Sequence, residues 1–198
     1  PSQAGRGADI DLQLPRGPLY NLAAATSNGP VTLDGLTGET LVADTSNSGV
    51  TLTDLAADTV TADTSNGPIK AKGLHAGTAR LDTSNSGIDA DGTVGSATLD
   101  TSNGPIDATL RPAASGRFTL DTSNSLIRLA LKGDGQTGFD ATADTSNGRA
   151  SIALAGGEAV GSQEPTSAHV RTTGYAGKAI RTEVRADTSN SDVTVTQG

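Results

Sequence analysis

The chain has 198 residues with no Cys, Met or Trp and only two Phe and two Tyr, so it lacks the large side chains of an ordinary globular core. The lack of Cys excludes a disulfide framework, a Cys-based metal site and a thiol nucleophile. The net charge of −8, without a cluster of Lys and Arg, argues against nucleic acid as a partner, and no apolar stretch is long enough for insertion into a membrane.

The N-terminal end predicts a leader followed by a strand. Residues 1–7 are rich in Gly and other small residues and predict a flexible leader. Over residues 8–14, Ile10, Leu12 and Leu14 alternate with polar residues, which is the pattern of a half-buried strand. A turn rich in Pro and Gly follows. We expect the strand to act as an N-terminal cap on the first unit of the fold.

A repeated tetrapeptide organises the rest of the chain. Asp-Thr-Ser-Asn occurs seven times, and an eighth copy reads Ala-Thr-Ser-Asn. The first four steps between copies are 19, 19, 19 and 18 residues. Such a period is typical of stacked supersecondary units. The Asn residues of the copies are Asn28, Asn47, Asn66, Asn85, Asn103, Asn124, Asn147 and Asn190.

Each repeat carries two short runs of alternating apolar residues, one on each side of the tetrapeptide. In the third repeat, Val60 and Ala62 precede the tetrapeptide, and Ile69 and Ala71 follow it. A unit of two short strands cannot bury its apolar face alone and must stack on its neighbours. We therefore predict an all-β, single-stranded β-solenoid of about eight coils of about 19 residues, with two short strands in each coil.

The repeats predict a single domain over residues 8–198. Regular coils are expected over residues 19–154. Residues 155–180 are rich in Gly and Ser and interrupt the repeats, so we expect them to form an irregular excursion that covers the far end of the stack. Residues 181–198 then return as the last coil.

The alternation also predicts where the side chains of the tetrapeptide point. If Ala62 is inward, Thr64 and Asn66 are inward as well, provided that the strand continues into the turn. We therefore predict internal ladders of Thr and Asn, in which the stacked Asn amides bond along the rod. The residue after each Asn is Gly and Ser by turns, and the early corners each hold one Gly, which we expect at positive φ.

The entry strand and the first repeat follow a pattern that is known from one family. The entry strand and its turn match on Leu12, Leu14, Pro15 and Gly17. On these residues and those of the first repeat, the chain resembles the putative-adhesin β-helix family of bacterial cell-envelope proteins. The resemblance implies a right-handed β-helix, a location in the envelope or outside the cell, and no established activity. The matching residues of the repeat are Asn28, Gly29, Val31, Leu33, Leu36 and Gly38.

A column of Asp residues precedes the Thr of the tetrapeptide and is expected on the outer surface. Stacked carboxylates repel and raise one another's pKa. One interpretation is a stripe that binds Ca²⁺ weakly, since hard cations prefer carboxylate oxygens. The simpler interpretation, which we favour, is that each Asp accepts hydrogen bonds from its own Ser-Asn turn and that no cofactor is bound. The column comprises Asp44, Asp63, Asp82, Asp100, Asp121, Asp144 and Asp187.

Three further carboxylates are expected on the outward side of the second strands. Asp89, Asp91 and Asp107 lie there, with basic residues such as Lys72 and Arg128 nearby. Some pectin-cleaving β-helix hydrolases use paired carboxylates as acid and base on such a face. The other interpretation is a solvated face with ion pairs between coils. Neither Tyr lies nearby in the sequence to supply the aromatic platform of a sugar site.

The pattern as a whole indicates a non-enzymatic structural or adhesive solenoid at the cell surface or secreted. One alternative is a carbohydrate-active β-helix, a hydrolase or lyase, that uses the three carboxylates of the second strands. Another is a subunit that assembles into fibres, because a solenoid has two sheet-like ends. We expect a surface protein or glycan as partner and a mainly monomeric chain. His75 and His169 are separated in sequence and are expected to be surface residues.

Overall fold

Short strands form nearly all of the fold. The computed structural model describes residues 19–198. The leader and the strand expected at residues 8–14 lie outside the described residues. The first eight strands are β1 (Tyr20–Thr26), β2 (Val31–Asp34), β3 (Thr37–Thr45), β4 (Val50–Thr53), β5 (Ala56–Thr64), β6 (Ile69–Thr83), β7 (Ile88–Thr101) and β8 (Ile106–Pro112).

The second half of the chain continues in the same way, with a single 3₁₀ turn at Tyr175–Gly177 and no α-helix in the described part of the chain. Its strands are β9 (Gly116–Thr122), β10 (Ile127–Leu131), β11 (Thr137–Thr145), β12 (Ala150–Ala153), β13 (Gly157–Ala159), β14 (Ser167–Thr172), β15 (Ile180–Thr188) and β16 (Val193–Gln197).

The strands stack into two parallel ladders, which confirms the predicted β-solenoid. The first ladder runs β1, β3, β5, β6, β7 and β9, and its strands precede the tetrapeptides. The second ladder runs β2, β4, β6, β7, β8 and β10. The long strands β6 and β7 bend, so that each one supplies both a second strand of one coil and the first strand of the next.

The apolar columns predicted from the alternation form a narrow continuous core. Val60, Ala62, Ile69 and Ala71 have no exposed surface. The equivalent residues of the other coils are buried too, except near the two ends, where Leu22, Ala24 and Ile152 are partly buried. Small and medium side chains fill this space because the two ladders lie close together. The core therefore needs few large side chains, and Phe118 and Phe139 are the aromatic residues buried in it.

The stack departs from chain order at its C-terminal end. β15 lies between β9 and β11 and is parallel to both. β16 lies in the same way between β10 and β12. The first six coils thus follow one another in chain order. The coil of β15 and β16, which comes last in the sequence, stacks on the sixth coil, and the coil of β11 and β12 stacks on it in turn. The prediction that residues 181–198 form the last coil of the stack is wrong, because every coil has the same apolar columns and fits beside any other.

The excursion supplies two antiparallel strands to this end of the first ladder. β14 pairs antiparallel with β11, and β13 pairs antiparallel with β14. Both strands come from residues 155–180, so this segment lies against the outermost parallel strand. A further coil would need a parallel neighbour in the same register. Because β14 and β13 are antiparallel, they do not offer one, and the stack of coils ends here.

The Thr of the tetrapeptide forms the predicted internal ladder. The hydroxyl of Thr64 donates to the carbonyl of Ser48 in the previous coil at 2.9 Å and accepts from the N–H of Gly67 at 3.2 Å. Each buried hydroxyl therefore joins its own turn to the turn of the neighbouring coil. The buried members of this ladder are Thr45, Thr64, Thr83, Thr101, Thr122, Thr145 and Thr188.

The Asn ladder is present, but its predicted position inside the corner is wrong. The amide of Asn66 donates to the side-chain oxygen of Asn47 at 2.8 Å and to the carbonyl of Ser46 at 3.2 Å. These residues are exposed because the backbone bends after Thr64, which ends the strand alternation and turns both Ser65 and Asn66 outward. Along the rod the order is Asn28, Asn47, Asn66, Asn85, Asn103, Asn124, Asn190 and Asn147.

The corner Gly residues are required for a different reason from the one expected. Gly67 is not among the residues with positive φ. A Cβ at Gly67 would lie only 1.8 Å from the carbonyl oxygen of Ser48, and a Cβ at Gly104 would lie as close to that of Ser86. Gly is therefore needed at these corners, and likewise at Gly148 beside Ser191, because the carbonyl of the neighbouring Ser corner occupies the space that a side chain would need.

Candidate functional site

The Asp column continues through seven consecutive rungs of the first ladder. Neighbouring members are directly paired in register. Carboxylates are thus repeated at about the spacing of parallel strands, roughly 4.8 Å. Because the last coil is inserted, the order along the rod is Asp44, Asp63, Asp82, Asp100, Asp121, Asp187 and Asp144.

Three members of the column, Asp63, Asp100 and Asp121, have a pKa above the ordinary value of 3.8. Partial burial raises the pKa of Asp63 and Asp100 above 3.8, and the charge of Asp82 between them raises it further. Burial and the charge of Asp187 act in the same direction on the pKa of Asp121. The folded column therefore carries electrostatic repulsion at neutral pH.

Three members of the column have partners, and these differ from the expected ones. Asp82 pairs with Arg80 at 2.8 Å, and Asp187 pairs with Arg185. Asp144 accepts a hydrogen bond from the hydroxyl of Ser167. In residues 19–198 no Asp of the column is bonded to its own Ser-Asn turn, since the Asn amides bond to neighbouring rungs instead.

A metal site needs several ligands at one point, which a straight column does not supply. Within the described residues, no three His, Asp or Glu side chains form a group that could hold a metal ion. Weak binding of Ca²⁺ along the column stays a prediction.

The carboxylates of the second strands lie side by side on an exposed face. Asp89 and Asp107 are register partners on β7 and β8, and Asp91 follows two residues along β7. Asp89 lies 3.8 Å from the amino group of Lys72, and Asp107 lies 3.4 Å from the guanidinium of Arg128. The side chains of Asp89 and Asp107 are 54% and 50% exposed. Exposed pairs of this kind contribute little to stability.

A larger group of polar side chains lies at the C-terminal end of the first ladder, on the outer face of β9, β15, β11 and β14. We call it the terminal polar patch. Arg117 is the register partner of Glu183, which is the partner of Asp140, and the next column holds Thr119, Arg185 and Thr142 in the same order. Its members are Arg117, Thr119, Asp140, Thr142, His169, Arg171, Glu183 and Arg185.

Asp140 holds the outer edge of the terminal polar patch together. One of its oxygens lies 2.6 Å from Nε2 of His169. The other accepts two hydrogen bonds from Arg171, at 2.9 and 2.6 Å. Partial burial would raise the pKa of Asp140, but the bonds from Arg171 and His169 outweigh it and hold that pKa below 3.8. The excursion strand β14 is thus fixed to β11 by side chains as well as by its backbone.

An aromatic ring borders the terminal polar patch. The guanidinium of Arg171 lies 5.7 Å from the centre of the Tyr175 ring. Burial raises the pKa of Tyr175, and the negative charges of Asp140 and Glu183 raise it further. Tyr175 therefore lies close to the carboxylates Asp140 and Glu183 of the patch. It is far in sequence from Asp89, Asp91 and Asp107, the carboxylates considered above for a sugar site.

Sequence reasoning missed this patch because it treated residues 155–180 as irregular. A signal was present in the alternation of Ser167, His169 and Arg171 with Ala168 and Val170, which is the pattern of a strand. His169, expected to be an isolated surface residue, is half-buried and bonded to Asp140. The insertion of β15 then places Glu183 and Arg185 between β9 and β11.

The comparison with protein families gives one match over nearly the whole chain. The model of the family described as Toastrack DUF4097 matches residues 2–196. No curated protein matches the sequence. Among solved structures, a putative cell adhesion protein from Clostridium sporogenes is similar with a TM-score of 0.37 and 9% identity. That match covers 71% of this chain and 56% of the other protein. Within the described residues, no helix is both long and apolar enough to cross a membrane.

Proposed function

This chain belongs to the Toastrack DUF4097 family, and we propose that it is a non-enzymatic structural and adhesive β-solenoid that acts at the cell surface or after secretion. One observation carries the proposal. The repeated tetrapeptide is used in stacking, since its Thr hydroxyls and Asn amides bond from coil to coil. The repeat therefore specifies a rod, and the outward-facing side chains of the two ladders are left to contact a partner.

A location outside the cytoplasm agrees with the composition. A chain of 198 residues without Cys is insensitive to an oxidising environment, and the stacked hydrogen bonds need neither a disulfide nor a cofactor. Labelling of intact cells with an antibody against the chain tests the location. Signal that appears only after permeabilisation contradicts it.

Adhesion is tested with beads that carry the purified chain. We expect these beads to attach to cells or to isolated cell-wall material more strongly than beads that carry an unrelated acidic protein of similar size. Attachment should decrease when free chain is added, because the free chain competes for the same partner. If attachment is no stronger than for the control protein, the adhesive part of the proposal fails and a purely structural role is left.

The alternative of a carbohydrate-active enzyme has its own test. We expect no turnover of neutral or acidic polysaccharides, because Asp89 and Asp107 are exposed and paired with Lys72 and Arg128. Products are measured as new reducing ends and, for a lyase, as new unsaturated ends. Turnover that disappears in Asp89→Asn or Asp107→Asn would establish the enzyme instead.

A further inference from the structure

The terminal polar patch contains a shallow depression in the outer face of the first ladder. Its floor is formed by Thr119 and Thr142, which lie on either side of Arg185 in successive rungs. Longer side chains, among them Glu183 and His169, form its walls. The floor is part of a parallel sheet, so its side chains are held at the fixed spacing of the strands. A ligand would meet a surface that is already ordered.

Several polar atoms of this depression have no partner in the part of the chain that the structure describes. The hydroxyls of Thr119 and Thr142 make no hydrogen bond there. Arg185 uses only Nε, toward Asp187, so both of its terminal nitrogens are available. Glu183 uses one oxygen for Arg117 and leaves the other free. The depression thus presents donors, acceptors and hydroxyls that can act as either.

The charges of the terminal polar patch suit a neutral ligand better than an ion. Arg117 is balanced by Glu183, Arg171 by Asp140, and Arg185 by the adjacent Asp187. A polyanion would meet the neighbouring Asp column, and a cation would meet guanidinium groups. A ligand whose groups each donate and accept hydrogen bonds avoids both conflicts.

We propose that this depression binds a neutral saccharide, with hydroxyls along its length bonded to the hydroxyls of Thr119 and Thr142, which lie two rungs apart, and to the free groups of Arg185 and Glu183. The proposal rests on the adhesive function proposed above and names the class of its ligand. The ring of Tyr175 lies next to Arg171 and lines the adjacent depression, where a saccharide that extends past Arg171 can pack its carbon side. Sites for small ligands combine such an apolar surface with a few fixed polar groups.

The chain offers a matched control for this site. Arg80 lies between Thr61 and Thr98 in successive rungs of the same ladder and pairs with Asp82. Arg185 has the same arrangement with Thr119, Thr142 and Asp187, but it also has the walls of the terminal polar patch. A change at Arg80 therefore reproduces the loss of one Arg from this face without touching the depression.

The full chain is titrated with neutral gluco-, manno-, galacto- and chito-oligosaccharides, and binding is measured by calorimetry and by NMR shifts. We expect at least one of them to bind. Arg185→Ala and Thr142→Val should each weaken that binding about tenfold or more, because each removes a hydrogen-bonding partner. Arg80→Ala and Thr61→Val should leave it unchanged, and thermal unfolding verifies that all four variants are folded.

Three results would overturn the proposal: no binding of any neutral oligosaccharide at millimolar concentration, binding of acidic oligosaccharides only, or equal loss of binding in the Arg80 and Arg185 variants. The bead experiment distinguishes this failure from failure of the adhesive function. Beads that attach as well with Arg185→Ala as with the unchanged chain would leave adhesion in place and remove the saccharide site.

Discussion

At the scale of single residues, each tetrapeptide contributes to two ladders, one formed by its Thr and one by its Asn. Thr64 is buried and bonds on both sides, whereas Asn66 is exposed and bonds along the outer edge. Water can replace a lost partner at Asn66 but not at Thr64. The loss of Thr64 should therefore cost more stability than the loss of Asn66, although Thr and Asn both occur in all eight repeats.

Thr64→Val should reduce the free energy of unfolding by about 1–3 kcal/mol, because it leaves the partly buried carbonyl of Ser48 and the buried N–H of Gly67 without this partner. Asn66→Ala should cost less, about 0.5–1.5 kcal/mol, since its partners stay accessible to water. Unfolding in urea, followed by circular dichroism, gives both values. A larger loss for Asn66→Ala would mean that the Asn ladder is closed to solvent.

The corner Gly can be tested against a Gly without a close neighbour. Gly67→Ala should destabilise the fold by about 1–3 kcal/mol, because its Cβ would overlap the carbonyl of Ser48 and force the coils apart. At Gly29 the nearest atom of residues 19–198 to an added Cβ is 3.5 Å away, so Gly29→Ala should stay within about 0.5 kcal/mol of the unchanged chain. Equal melting temperatures for the two variants would contradict the close approach.

The Asp column makes stability depend on pH in a defined direction. The folded pKa of Asp100 lies above its ordinary value of 3.8, so protonation favours the folded state and the contribution of this group improves as pH falls from neutral toward 3.8. Asp100→Asn should thus stabilise the fold at pH 7, by about 0.2–1 kcal/mol because exposed charges are screened. The gain should vanish below pH 3.8, where the carboxyl is protonated in both states.

Melting temperatures across this pH range test the prediction for Asp100. Asp34→Asn removes one negative charge from an exposed residue outside the column and serves as the control for net charge. If Asp34→Asn stabilises the chain as much as Asp100→Asn does, the effect belongs to net charge and not to the column.

At the scale of strands, the sequence predicts each element better than it predicts the neighbours of that element. Val60, Ala62 and the equivalent residues identify strands and their buried faces because alternation depends only on local backbone geometry. The orientation of Asn66 could not be obtained in this way, since the alternation stops where the backbone bends. The position of β15 was not predictable either, because Val184, Ala186 and Asp187 repeat the columns of every other coil.

The strand order predicts which engineered Cys pairs can form a disulfide in this Cys-free chain. Arg128 and Thr194 are register partners on β10 and β16, and Thr194 is also the partner of Ser151 on β12. An Arg128→Cys/Thr194→Cys variant should therefore oxidise readily within one chain. In an Arg128→Cys/Ser151→Cys variant the two residues are separated by two strand spacings, roughly 9.6 Å, which is beyond the reach of about 7 Å.

Mass spectrometry after mild oxidation distinguishes these two variants. The opposite result, a disulfide only in the Arg128→Cys/Ser151→Cys variant, would show that the coils stack in chain order after all.

At the scale of the whole molecule, the described chain is a rod whose two ends differ. At one end β13 and β14 lie antiparallel over the last parallel strand. At the other end β1 pairs with β3 among the described strands, and the strand predicted at residues 8–14 precedes it. An open parallel edge is a template for another chain, so coverage of both ends decides between a monomer and a fibre.

Deletion of residues 1–14 should convert a mainly monomeric chain into aggregates or fibres, because it would remove the predicted cover of β1. Aggregation should be faster at high salt, which screens the repulsion that arises from the net charge of −8. Sedimentation and electron microscopy measure both effects. A deletion variant that stays monomeric, while the full chain polymerises, would favour the fibre subunit over the adhesive monomer.

The inserted coil also links the fold to the direction of protein synthesis. A solenoid stacked in chain order could fold progressively as it leaves the ribosome or a secretion channel, one coil after another. Here β11 and β12 have their parallel neighbours in residues 180–197, which emerge after them. The outer end of the rod therefore has to wait for residues 180–197 before it can close. Until residues 180–197 have emerged, a growing chain stays incomplete at that end, and their arrival is the step that closes it.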